Sequence, residues 1–224
     1  MSLKPPKKTD MSKNWMQKRR DVKRTISPEY HLIVTEGTKT EPEYFDSLKK
    51  RINEKYPERI QLDISGIGDN TVNLFERAKA LAEENPNKYK HVWVVYDTDS
   101  FPAENINLVP VLCKNNSTSN CQYHAIWSNQ CIELWFLLHF SYMHSDLYRD
   151  EYYPKLDSTL KTISAGKYRK NREDMFEVLL PYLDTAISNA KKLNTLNGKK
   201  EPSKSAPSTQ IYRLMEKMKF YLNS

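Results

Sequence analysis

Two short apolar runs constrain this chain most, because each stops abruptly on an acidic turn. Leu32-Ile33-Val34 leads into Thr35-Glu36-Gly37, and Val92-Trp93-Val94-Val95-Tyr96 leads into Asp97-Thr98-Asp99. Apolar runs of this length, bounded by turn residues, read as buried strands. A helix start follows the first at once. Thr40 stands as its N-cap, with Pro42 in the first turn, Glu43 three residues on, and Tyr44, Phe45 and Leu48 beyond. An acid at the C-terminal tip of a strand, at the mouth of a strand-to-helix turn, is where open α/β sheets place their sites.

The rhythm continues along the chain. Strands are expected over 30–35, 59–65, 91–96 and 122–127, the third being the most apolar and therefore central. Helices are expected over 41–55 (face Phe45, Leu48, Ile52), from 71 to 84 (Val72, Phe75, Ala78, Ala82) and over 106–114, where Pro110 kinks or delays it. Another, over 131–140, is apolar nearly all round and so buried. Strands that alternate with helices predict right-handed βαβ units in a parallel sheet, an α/β core of Rossmann-like type over 28–140. After Phe140 the strand signals stop. Residues 141–224 read as a helical part packing on that core, closed by a helix over 208–222 with Thr209 as its cap.

Charge is unevenly spread. Residues 1–27 carry nine Lys and Arg against two Asp, 28–160 carry thirteen against twenty acids, and 161–224 carry thirteen against six. The first segment reads as a disordered basic arm, either a nucleic-acid arm or a solubilising tail. An acidic middle between basic ends suits a protein that gathers acids for a metal and keeps Lys and Arg for phosphates; uneven solvated faces are the plainer account. Cys113, Cys121 and Cys131 are odd in number and lack CxxC spacing, which argues against a disulfide framework or a structural zinc and for a reducing cytoplasmic setting. No apolar run approaches ~18 residues, so no membrane helix is expected. The basic N-terminus has no apolar stretch and is not a secretory signal.

The acids permit specific chemistry. Asp97 and Asp99 past a strand end, with Glu36 from a neighbouring strand end, would repel one another unless a cation joined them. Mg²⁺, or Mn²⁺, takes such hard oxygen ligands and keeps several waters. Each acid alone could equally be a solvated turn residue. Glu133 interrupts an apolar helix, where a carboxylate is costly unless paired or metal-bound; a site ligand and a buried salt-bridge partner are both open. Lys167, Arg169, Lys170 and Arg172 form the best cationic cluster, with Tyr168 as a face for base stacking, and Lys39 lies beside the acids. A solvated helix face is the alternative for this cluster. The Gly66–Thr71 turn could offer backbone amides to a phosphate or be a plain tight turn. The five histidines show no metal spacing, and no Gly-x-Ser-x-Gly elbow or Walker motif is present.

Glu-Gly after a first strand and Asp-x-Asp after a later one resemble the TOPRIM fold of topoisomerases, DnaG-type primases and OLD nucleases. More narrowly, the chain resembles the RloB-like family of bacterial defence proteins. The likeness runs over about 29–222. It rests on Glu36-Gly37-x-x-Thr40-Glu41-Pro42-x-Tyr44-Phe45, Gly66-x-Gly68-x-Asn70-Thr71, Asp97-x-Asp99, the stretch 128–140 and Pro207-Ser208-Thr209. Gln130 stands where the pattern has proline and Ala206 where it has asparagine, both at helix starts. The resemblance implies a metal-dependent endonuclease acting on DNA or RNA, tRNA among the candidates, in anti-phage defence by abortive infection. It implies Glu36 as general acid/base or metal ligand, Asp97 and Asp99 as Mg²⁺ ligands, and Glu41 as a further acid of the site, which otherwise is a first-turn acid favoured by the helix dipole. An ATPase partner encoded separately follows from the OLD-type analogy, and a homo-oligomer is open. The alternative is a non-catalytic nucleic-acid-binding or regulatory module that keeps the TOPRIM shell.

Overall fold

The computed structural model describes residues 29–64, 71–86, 88–98 and 101–223. The basic arm over 1–27, the turn over 66–70 and Asp99 lie outside these residues. Four strands, β1 (His31–Thr35), β2 (Ile60–Ile64), β3 (His91–Asp97) and β4 (Gln122–Ser128), form one sheet in the order β2-β1-β3-β4. All three pairings are parallel. Every residue of β1 and β3 is buried, as strands inside a two-sided parallel sheet must be. The helices are α1 (Thr40–Asn53), α2 (Thr71–Glu84), α3 (Ala103–Asn116), α4 (Glu133–Leu138), α5 (Arg149–Thr162), α6 (Met175–Leu179), α7 (Leu183–Asn197) and α8 (Ile211–Leu222). This is the α/β, Rossmann-like fold class expected from the sequence, TOPRIM-like in its strand-end acids, with a helical C-terminal part.

Alternation along the strands divides the interior in two. Leu32, Val34, Val92, Val94 and Tyr96 face a cluster closed by Leu74, Phe75 and Ala78 of α2 and Ile106 and Val109 of α3. Ile33, Trp93, Val95 and Ile126 face the larger cluster, which α1 and α4 to α8 fill. There α4 is buried on all sides, Leu134, Trp135, Phe136, Leu137 and Leu138 included, and each such side chain contributes about 1.5–3 kcal/mol relative to exposure. The Trp135 indole N–H donates to the Tyr44 hydroxyl at 3.0 Å, tying α4 to α1.

Several boundaries differ from expectation for physical reasons. Thr40 is the first helical residue, not the cap; Lys39 holds that position and no side chain caps it. The helix through Pro110 starts earlier and is longer than expected. Proline cannot donate to the carbonyl four residues back, and the Tyr96 hydroxyl donates to that Ile106 carbonyl instead, at 3.2 Å. α4 spans only Glu133–Leu138 of the expected 131–140, and Asn189 of α7 donates to the Leu138 carbonyl at its end. The segment 163–174 is a loop rather than helix, with Gly166 at φ 82°, a conformation glycine adopts without strain. Thr209 precedes α8 in a β-bridge to Ser128, while its hydroxyl still accepts the Ile211 N–H at 3.3 Å. The expected apolar face of α8, Ile211, Leu214, Met215, Met218 and Tyr221, is buried.

At the N-terminal end of the sheet the register places His31 beside His91, their rings stacked at 5.1 Å. His91 Nδ1 lies 3.0 Å from His124 Nε2, and the Trp93 indole N–H donates to His31 Nδ1 at 3.3 Å. Glu29 bridges this cluster to α8 through Lys217 at 2.6 Å. His31 Nε2 reaches the Tyr221 hydroxyl at 3.4 Å. Burial, more than the neighbouring charges, drives the His31 pKa down to about 2 and that of His124 to about 3.

Candidate metal and nucleic-acid cleft

β1 and β3 are neighbours from which the chain departs in opposite directions, to β2 on one side and to β4 on the other. Such a switch point opens a crevice at the C-terminal strand ends. Thr35 pairs with Val95, so Glu36 and Asp97 emerge at the same edge, and the Glu36 N–H donates to the Val95 carbonyl at 3.1 Å. α1 begins four residues after Glu36 and folds Glu41 back over Gly37. A Cβ on Gly37 would stand 2.2 Å from Glu41 Oε2, so the glycine is the cradle in which that carboxyl rests. The result is a cleft of about 410 Å³ that brings together Glu36, Glu41, Asp97, Lys39, Lys170 and Arg149.

Glu41 is only 8% exposed. Burial raises its pKa and the Glu133 charge adds to the rise, while a hydrogen bond to Asp97 and the Arg149 charge oppose it. Asp97 also accepts from Arg149 Nη2 at 2.8 Å. Glu133 does not line the cleft; it sits behind Glu41, and the Tyr168 hydroxyl donates to it at 2.5 Å. Its hydrogen-bond partner is a neutral hydroxyl, an arrangement beside the two, site ligand and buried salt-bridge partner, that the sequence left open. Burial, then the Glu133 charge, push the nearby Cys131 thiol far above its ordinary range.

The cationic loop divides. Lys170 faces the acids, whereas Lys167, Arg169 and Arg172 line a separate recess of about 440 Å³. Arg172 is bound to Asp174 through two hydrogen bonds, at 2.5 and 2.9 Å. Tyr168 is not an open stacking platform: its ring lies on Tyr153 at 6.0 Å and its hydroxyl is on Glu133. Lys170 Nζ sits 4.9 Å from the centre of the Tyr153 ring. Arg149 was missed by sequence reasoning. It is an isolated Arg at a helix start, 52 residues from Asp97, and carries no local signal.

Among the described residues no group of three or more His, Cys, Asp or Glu converges as a metal cage. Mg²⁺ does not require one, since it is held by one or two carboxylates and retains waters. The Glu41–Asp97 pair, with Glu36 in the same cleft, is a donor set of hard oxygens that fits it.

A parallel Rossmann-like sheet with carboxylates and cations gathered at its switch point is the class that fold and cleft define. The model of the RloB-like protein family matches residues 31–218, and the chain belongs to the RloB-like family. No curated protein and no solved structure matches the chain. No helix among the described residues is long and apolar enough to cross a membrane.

Proposed function

We propose that this protein is a Mg²⁺- or Mn²⁺-dependent endonuclease that hydrolyses phosphodiester bonds of DNA or RNA, acting in anti-phage defence as the RloB-like resemblance implies. The observation that carries the reading is the Glu41–Asp97 carboxyl pair, buried at the switch-point cleft beside Glu36 and rimmed by Lys39, Lys170 and Arg149. Asp97 and Glu36 would hold the ion, with Asp99 and Glu41 as further oxygen donors. A divalent ion bound there supplies polarisation of a phosphoryl oxygen and a bound water of lowered pKa. Glu36, half-buried at the strand tip, would act as the general acid/base toward the attacking water. Lys39 and Lys170 would hold the flanking phosphates, and Tyr168 keeps Glu133 in place behind Glu41.

The test is incubation with plasmid, single-stranded DNA and total RNA, in Mg²⁺, Mn²⁺ or EDTA. Cleavage of at least one substrate in metal, lost in EDTA and in Asp97→Ala and Glu36→Gln, is expected. Cleavage unchanged in both variants sinks the reading. The Arg149–Asp97 ion pair favours a second reading, since it neutralises Asp97 without any metal. On that reading the protein binds nucleic acid with steep salt dependence and cleaves none in any divalent metal.

A further inference from the structure

Asp97 is the acid at the centre of the cleft, and a protein cation already occupies it. Its side chain is 10% exposed, and the guanidinium that reaches it is 37% exposed, so the pair sits where the cleft opens. The arrangement is anchored from behind. Arg149 is the first residue of α5, and its backbone N–H donates to Gln130 Oε1 at 3.0 Å, just past the end of β4. One residue earlier, the Tyr148 N–H donates to the Glu151 carboxylate at 2.9 Å, which fixes the first turn of the helix. The guanidinium is therefore delivered to the tip of β3 from a pinned helix start rather than from a floppy loop. Its planar fork of N–H donors suits carboxylates and phosphates alike.

We propose that Arg149 is the resident counter-ion of the metal position: it competes with a divalent ion for Asp97, so the cleft holds metal weakly while the guanidinium is in place. This rests on the metal-dependent reading given above and adds a positioning residue to it. The reason is charge. A divalent ion entering beside Asp97 must displace the Arg149 hydrogen bond and meet its positive charge at close range. When a phosphate of a bound nucleic acid draws the fork away, both obstacles go at once. Metal and polyanion then favour each other's binding.

The experiment is a Mn²⁺ titration of the full-length protein without nucleic acid, counting free ion by electron paramagnetic resonance. Wild type is compared with Arg149→Gln, Arg149→Lys and Asp97→Asn, and each fold is checked by circular dichroism and thermal melting. Arg149→Gln is expected to bind Mn²⁺ roughly tenfold more tightly than wild type, because a half-exposed charge-assisted pair and one repulsive charge are removed together. Arg149→Lys, which keeps the charge but loses the fork, is expected between the two. Asp97→Asn is expected to bind more weakly than wild type. If Arg149→Gln binds Mn²⁺ no more tightly than wild type and only melts earlier, the pair is a structural clasp and the proposal is wrong, while the metal reading stands. If Arg149→Gln does not fold, Arg149→Lys decides in the same way: tighter than wild type supports, equal or weaker overturns. If neither wild type nor any variant binds Mn²⁺, both this inference and the metal-dependent reading fall.

Discussion

The histidines at the base of the sheet should make this protein lose stability in mild acid. The perturbation is a drop in pH from about 7.5 to 5. His31 and His124 are neutral in the folded protein, with pKa values near 2 and 3 against an ordinary 6.5. A base whose folded pKa is depressed leaves the unfolded chain binding more protons, so its stability is present above about 6.5 and lost as pH falls toward the folded value. At pH 5 each histidine costs about 2 kcal/mol, or about 4 kcal/mol for the pair. For a chain of this size that corresponds to a fall in melting temperature of roughly 8–16 °C. Glu41 acts in the opposite sense, because its raised pKa adds stability as pH falls. The assay is therefore differential: calorimetric melting of wild type and His124→Gln, in matched buffers, at several pH values in that window. The variant should recover the His124 share of the fall, roughly 4–8 °C, while buried His139, its pKa lowered to about 4, loses stability in both proteins alike. If the difference in melting temperature between the two proteins is the same at pH 7.5 and pH 5, protonation of this cluster does not govern the loss and the reasoning fails.

Two further outcomes follow from close contacts. Gly37→Ala would drive a methyl group to 2.2 Å from Glu41 Oε2, so the carboxyl must leave its cradle; a loss of about 1–3 kcal/mol in urea denaturation is expected, smaller in the Gly37→Ala/Glu41→Ala double variant. Tyr96→Phe strips the Ile106 carbonyl of the hydroxyl that Pro110 makes necessary; this buried acceptor left bare should cost about 1–3 kcal/mol by the same assay, and adding Pro110→Ala should return part of it.

The parallel core was legible because its signals are local. Val92 to Tyr96 can be little other than a buried strand, and the apolar stripe of α8 appears where its spacing puts it. The acid cleft was legible in part, since Glu36 and Asp97 stand at strand tips and the tips follow from the alternation. What escaped depends on contacts across long separations. Arg149 meets Asp97 only because α5 is docked on Gln130, and the spacing of histidines in the chain says nothing of a register that stacks His31 on His91. The cationic segment 167–172 misled for a related reason. Composition reports charge but not direction, and the loop turns Lys170 one way while Lys167 and Arg169 face another recess.

The closing helix has a consequence for the order in which the molecule is made. His31 meets Tyr221 across 190 residues, and Ser128 meets Thr209 across 81. A ribosome that has released all four strands still holds back the segment that covers the lower edge of the sheet and the one that braces the tip of β4. Contacts of such separation form late and slowly. The acids of the cleft thus leave the ribosome long before the last helix that closes the sheet. Until then the nascent chain exposes the apolar face that Ile211, Met215 and Met218 will cover.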